Sequence, residues 1–531
     1  MNLRPAPYIG AAIGLLTLWA FVQKFPMDDA FISFRYAKHL AEGLGLVWNA
    51  GERVEGYSNF LWVLICSAGL KIGVFPENFA NIVNFPLYIL SLYLTWRLAR
   101  RYTNSAGSAI GVVLLTGFTR SFYTFPTSGM ETTLQSVEFL GLSLLLVKSH
   151  NEWDIRWSIL VGSLLAVMFL TRPDAAVPAL AVFWILRSKR PNLDKIVWMG
   201  FFVPLILVGF PYAIWKISYF GDLLPNSFHT KVRDIIGVAY GLFYINQFLL
   251  SHLLYPLAAT VVWRLKELRE SSDEGLSAIM TLTVFWLAYV VLAGGDFMEF
   301  RFLTPILPMM YLLIVRSIEL IVQPRLRVAL AAALAFGVLY GNFAMEHLVF
   351  GYGIESVAHL RGHLNGESEN WALIGKKLKE YFGGSNVVIS AGAAGAIPYY
   401  SELTTIDFMG LNDRRIPREG EPFSRVPGHR VIATVEYLSQ RGVNFIIEPN
   451  NYMLDLQEFA ALAMGPSWRD LYRFYLDPDR PIKGKQLTST SLVGIPMDKD
   501  HVLVVWYLTP SPVVEQAIRD NGWPRFVVTR W

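Results

Sequence analysis

Two adjacent carboxylates, Asp28 and Asp29, open the stretch Met27-Asp28-Asp29-Ala30-Phe31-Ile32-Ser33-Phe34-Arg35-Tyr36-Ala37-Lys38-His39-Leu40, in which apolar residues fall at helical spacing from Ala30 onward. The pattern predicts an amphipathic helix along a membrane surface, its acidic end where the helix dipole favours negative charge. One aspartate there would serve as a cap, and two are more than capping needs. A carboxylate so placed can take a proton from a hydroxyl group. Neighbouring helical positions do not face each other. The pair is therefore expected to divide its work, one carboxylate at a reacting centre and the other holding a hydroxyl or a cation.

A second dense stretch, Gly51-Glu52-Arg53-Val54-Glu55-Gly56-Tyr57-Ser58-Asn59-Phe60-Leu61-Trp62, mixes charge, glycine and hydrogen-bonding aromatics. Glu55, Tyr57 and Asn59 suit contacts to a sugar, whereas Trp62 reads as an interface anchor. Four more motifs put ionisable groups at the ends of apolar runs: Ser128-Gly129-Met130-Glu131, Thr171-Arg172-Pro173-Asp174, the segment from Gly221 to Lys231 with Asp222, Asn226 and His229, and the segment from Gly294 to Phe302 with Asp296, Glu299 and Arg301. Singly, each reads as a locally paired loop. Together they supply cations, Arg172, His229, Lys231 and Arg301, that could meet charge developing on a departing phosphate. The first stretch supplies a base, Asp29 or Asp28. A lipid-phosphate sugar donor needs this combination, because cleavage at its anomeric carbon leaves a phosphate monoester.

Apolar helices must position these groups. Only 17% of the residues are charged and 53% are hydrophobic, against roughly 25% charged in soluble domains. Charge-free runs such as 159–170, 201–210, 282–292 and 328–340 have the character that hydrocarbon burial demands. Spans are expected at roughly 8–25, 78–98, 106–125, 132–148, 157–171, 174–187, 196–215, 237–263, 277–293, 303–322 and 327–345, about eleven in all. No small-residue cleavage site follows the first, so it reads as a span rather than a leader. The run from Phe60 to Phe75 would cover only about 24 Å of a roughly 30 Å core, and is expected to lie at the interface or re-enter.

With that run excluded, the basic clusters Arg97 to Arg101, Arg187 to Lys195, Arg264 to Arg269 and Arg325 to Arg327 share one side, as cytoplasmic loops do. The acidic motifs share the other. The expected fold class is a polytopic α-helical membrane protein, residues 1–345, with a C-terminal extracytoplasmic α/β domain, residues 346–531. In that domain 386–390, 445–448 and 501–508 read as strands, and 370–382 and 431–441 as helices. Cys66 is the single cysteine, so no internal disulfide is available. The glycine-rich turn Ala391 to Gly395 could suggest nucleotide binding, but Pro398 interrupts the following helix and a nucleotide would be on the wrong side of the membrane. A net charge of +4 with scattered basic residues argues against nucleic acid.

The run Asp28-Asp29-Ala30-Phe31-Ile32-Ser33-Phe34-Arg35-Tyr36-Ala37 followed by Gly51-Glu52-Arg53-Val54-Glu55-Gly56-Tyr57-Ser58-Asn59 resembles the first periplasmic loop of GT-C-class glycosyltransferases. It is most similar to the mycobacterial terminal arabinofuranosyltransferases and the bacterial pilin arabinosyltransferases. The later motifs at Ser128, Thr171, Asp222 and Gly294, and Ala391 to Gly395 with Ile406 to Leu411, fit the same family pattern. The resemblance implies a polyprenyl-phosphate sugar donor, often carrying D-arabinofuranose, and an essential first-loop aspartate, which maps onto Asp28 and Asp29. It also implies Arg35 and Tyr36 in the site, a bacterial plasma-membrane location with a cytoplasmic N-terminus, and a periplasmic domain over the active site. No residue here demands arabinose.

Other classes are weighed against it. A lipid-linked-saccharide flippase would place charge near mid-span and show matched halves, and neither pattern is found. A non-catalytic glycan-assembly protein would leave the acidic clustering unexplained. No cofactor is expected, since basic side chains can neutralise one phosphate, although Asp28 and Asp29 could hold a divalent cation. Inversion at the sugar needs only a base, whereas retention would call on a second carboxylate from Glu131, Asp174, Asp222, Asp296 or Glu299. The acceptor, a glycan or a protein, is open.

Overall fold

The apolar runs have nowhere to satisfy their main-chain groups except within themselves, and they coil accordingly. A computed structural model of the chain describes residues 6–147, 153–189, 193–229, 235–270, 274–347, 353–366, 369–423, 430–447, 453–455, 457–459 and 490–528. The expected spans fall mainly on helix, from Ala6–Val22 and Pro76–Tyr102 at the start to Glu274–Leu292, Leu307–Glu319 and Pro324–His347 at the end, although the one expected at 106–125 breaks at the extended Thr119 into Ala106–Phe118 and Arg120–Thr124. Among the described residues five helices are long and apolar enough to cross a membrane alone, and six if one bent pair is a single span. That pair corrects the continuous span expected at 237–263. The helices Ile235–Ser251 and Tyr255–Trp263 bend by 105°. Leu253 lies in the left-handed region at φ 51°, and Pro256, favoured in a first helical turn, stands in the first turn of the second piece.

Outside the spans, Asp28–Ala41 forms the expected amphipathic helix and Phe60–Lys71 a 12-residue helix beside it. The first of these is buried on two sides. Phe31, Phe34 and Tyr36 share one apolar core with Trp62 of the second helix and with Ile374, Ile389, Ile397 and Val505 of the C-terminal part. The Phe31 ring meets those of Tyr399 and Tyr400, each at 5.3 Å. Burying aromatic surface there locks the C-terminal part onto the first loop.

The C-terminal part carries a mixed sheet. Its strands are β1 (Val388–Ala391), β2 (Thr404–Asp407), β5 (Phe445–Ile447), β6 (Met453–Asp455), β7 (Thr490–Pro496), β8 (His501–Tyr507) and β9 (Arg525–Val528), in the order β2-β1-β5-β8-β7-β9 with β6 also on β8. β1 runs parallel to β2 and β5, and β8 antiparallel to β5, β6 and β7. A small ribbon pairs β3 (Glu421–Pro422) with β4 (Val431–Ile432). This ribbon corrects the helix expected at 431–441. The β-branched Val431 and Ile432 are in strand, and helix begins only at Val435, where the Thr434 side chain caps the Tyr437 N–H.

Candidate active site

The first loop, the ends of the apolar helices and the C-terminal part enclose a cavity of about 460 Å³. Asp28, Asp29, Tyr57, Asn59, Glu131, Arg172, Asp296 and Arg301 all line it. Residues from five separate motifs therefore meet in one place.

The two aspartates differ. Asp28 accepts hydrogen bonds from the main-chain N–H groups of Gly395 (3.1 Å) and Ala396 (2.7 Å), capping the helix Ala396–Ser401. A Cβ on Gly395 would come within 1.9 Å of the Asp28 carbonyl oxygen, so only glycine permits this approach. Asp29 has no hydrogen bond or ion pair among the described residues, and it faces the cavity. Burial pushes its carboxyl up to about 7, with Arg301 opposing the rise and Asp28, Asp296 and Glu355 adding to it. A carboxylate that titrates near neutrality is suited to proton transfer.

Behind Asp29 runs a connected network. Ser33 donates to Asn59 (3.0 Å), Asn59 donates to Glu131 (2.7 Å), and Arg172 bridges Glu131 (2.6 Å) and Asp174 (2.9 Å). Gln135 and Tyr289 complete the shell of Asp174. Burial would raise the Glu131 carboxyl, but Arg172 and Arg301 hold it below its ordinary range. Arg301 pairs with Asp296 at 2.6 Å. The guanidinium groups of Arg172 and Arg301 both lie over the Phe302 ring, at 5.7 and 5.3 Å. The Tyr57 hydroxyl is buried with no hydrogen-bond partner among the described residues and borders the same space.

Other expected site residues stand outside the cavity lining. Arg35 donates to the carbonyls of Trp48, Leu403 and Pro398. Tyr36 donates to Val54 and accepts from the Gly56 N–H. Both tie the first loop together or to the C-terminal part. Glu55 forms a buried 2.7 Å pair with Lys216. Asn226 donates to the carbonyls of Gly410, Leu411 and Asp413. Asp222 pairs with His229 and Arg418 at the periphery. Glu299 accepts from the Val357 N–H at 2.7 Å. Lys231 lies outside the described residues.

One wall of the cavity was missed by sequence reasoning. Glu355, His359, His363 and Glu369 line it as well. The signal was present as a histidine pair four residues apart, but it lies past the last span, among residues read only for strands and helices.

The arrangement is that of a multi-pass GT-C-class fold. Over 94% of the chain it matches ArnT from Cupriavidus metallidurans, both bound to undecaprenyl phosphate (TM-score 0.57, 97% of that chain) and in the apo state (TM-score 0.56, 98%), at 12% identity in each case. Residues 60–215 match the dolichyl-phosphate-mannose-protein mannosyltransferase family, and residues 360–488 match a domain of unknown function, DUF8728. In sequence the chain is similar to the terminal beta-(1->2)-arabinofuranosyltransferases of Corynebacterium glutamicum (24% identity over 354 residues, 57% of this chain and 49% of that one) and Mycobacterium tuberculosis (24% over 338 residues, 55% and 52%). The chain spans about half the length of these curated relatives.

Proposed function

We propose that this chain is a membrane glycosyltransferase that moves one sugar from a polyprenyl-phosphate donor to an extracytoplasmic glycan or protein acceptor. D-arabinofuranose is the sugar this reading favours, on the likeness to the two arabinofuranosyltransferases. The observation that carries the reading is Asp29: an unpaired carboxylate in a cavity whose other membrane-side acids are already bound, with Arg301 beside it. The acceptor hydroxyl attacks the anomeric carbon, its proton passes to Asp29, and the bond from that carbon to the phosphate oxygen breaks. Arg301 meets the charge left on the lipid phosphate. Asp28, engaged by main-chain amides, holds the C-terminal part over the cavity rather than a metal ion. The same reading places the protein in a bacterial plasma membrane, with a cytoplasmic N-terminus and the cavity on the far side.

The test is a reconstituted reaction. Purified protein mixed with decaprenyl-phospho-arabinofuranose and a cell-envelope glycan extract is expected to release polyprenyl phosphate as sugar appears on the acceptor. Movement of labelled donor across vesicles with no release would favour transport instead.

A further inference from the structure

Glu355, His359 and His363 each bring a metal-ligating atom into one cluster, all within 4.8 Å of one another. His359 and His363 stand four residues apart on the helix Val357–Asn365, the spacing that turns two imidazoles to one face. Glu355 is fixed independently. Its N–H donates to the Phe297 carbonyl at 2.7 Å and its carbonyl accepts from the Glu299 N–H at 3.1 Å, so its backbone is tied to the loop that carries Asp296 and Arg301.

The arrangement has the supports of a metal centre. His363 turns Nε2 toward Glu355 at 3.1 Å, while its Nδ1 is hydrogen-bonded to Glu369. A carboxylate on the far nitrogen fixes the tautomer and ring orientation of a ligating histidine. The Trp371 ring stacks on the His363 imidazole at 4.4 Å and 9°, holding its plane. His359 is exposed, and its ring already meets that of His363 at 4.8 Å and 80°. All four polar residues border the same cavity as Asp29.

We propose that Glu355, His359 and His363 bind a divalent transition-metal ion of the zinc class, with Glu369 orienting His363 and the fourth position open to the cavity. Two imidazoles and one carboxylate form a zinc set that leaves room for one oxygen ligand. Zinc bonds of about 2.0–2.2 Å place tetrahedral ligand atoms about 3.4 Å apart, so a modest turn of His359 closes the set. The open position faces the space assigned to donor and acceptor, where a phosphate or hydroxyl oxygen would complete it. Ion binding itself does not depend on the sugar-transfer reading.

The experiment uses the full chain in detergent, equilibrated with Zn²⁺ against a competing chelator, and separately with Co²⁺ for its visible spectrum. About one zinc per chain is expected, with a tetrahedral cobalt spectrum. His359→Ala, which removes an exposed side chain and leaves the fold intact, is expected to abolish both. Glu369→Gln should weaken zinc affinity about 10–100-fold while keeping the cobalt spectrum at saturation. Equal zinc in wild type and His359→Ala, or no zinc in wild type, overturns the site and shows the cluster to be a salt-bridged contact. Neither result bears on whether Asp29 supports transfer.

Discussion

The carboxylate of Asp28 accepts a 2.7 Å hydrogen bond from the main-chain N–H of Ala396, 368 residues further along the chain. Its neighbour Asp29 is left facing the cavity without such a partner. One residue of the pair therefore joins the membrane part to the C-terminal part, and the other is available for chemistry.

This division predicts opposite phenotypes. Asp29→Asn should fold normally and lose sugar transfer by about 10²–10⁴-fold, read as polyprenyl phosphate released per minute. Asp28→Ala should instead loosen the C-terminal part, costing about 1–3 kcal/mol. Limited proteolysis and thermal unfolding would show it. Gly395→Ala should behave like Asp28→Ala, because the new methyl group meets the Asp28 backbone.

A second prediction concerns pH. Asp29 must be ionised to accept a proton, and its carboxyl sits at about 7, above the ordinary aspartate range. The transfer rate should therefore fall about tenfold per unit as pH drops below about 7, and level off above it. A profile flat between about pH 5 and pH 8 would remove the proton-acceptor role from this residue.

The two cavity arginines should separate as well. Arg301→Ala is expected to cost about 10²–10³-fold in turnover, as loss of a charge aimed at the leaving group does, with a smaller loss of stability than Arg172→Ala because one buried acid, Asp296, rather than two loses its cation. Arg172→Ala leaves Glu131 and Asp174 buried without their cation. That change is expected to destabilise the protein by about 3–5 kcal/mol, visible as poor yield in membranes before any assay.

The spans and the first-loop helix were legible because apolar periodicity is local. Part of the cavity's membership was legible too, since Glu131, Arg172, Asp296 and Arg301 stand at the ends of apolar helices, whereas the wall of Glu355, His359, His363 and Glu369 was not. What each residue does there was not. Arg35 and Tyr36 carry the chemistry of a site, yet their groups are used by carbonyls and amides as distant as Leu403. Asn226 and Glu299 likewise hold main chain from elsewhere in the fold. Such roles depend on long-range main-chain contacts that leave no pattern in a local window. The bend at Leu253 and the strand at Val431 were lost for the reverse reason, because an apolar run can hide a turn or a short pairing.

The most direct test compares wild type with Asp29→Asn in a single purified system, with donor binding and polyprenyl phosphate release measured on the same samples. Donor bound by both and released only by wild type is the result predicted here. Equal release by the two would contradict it.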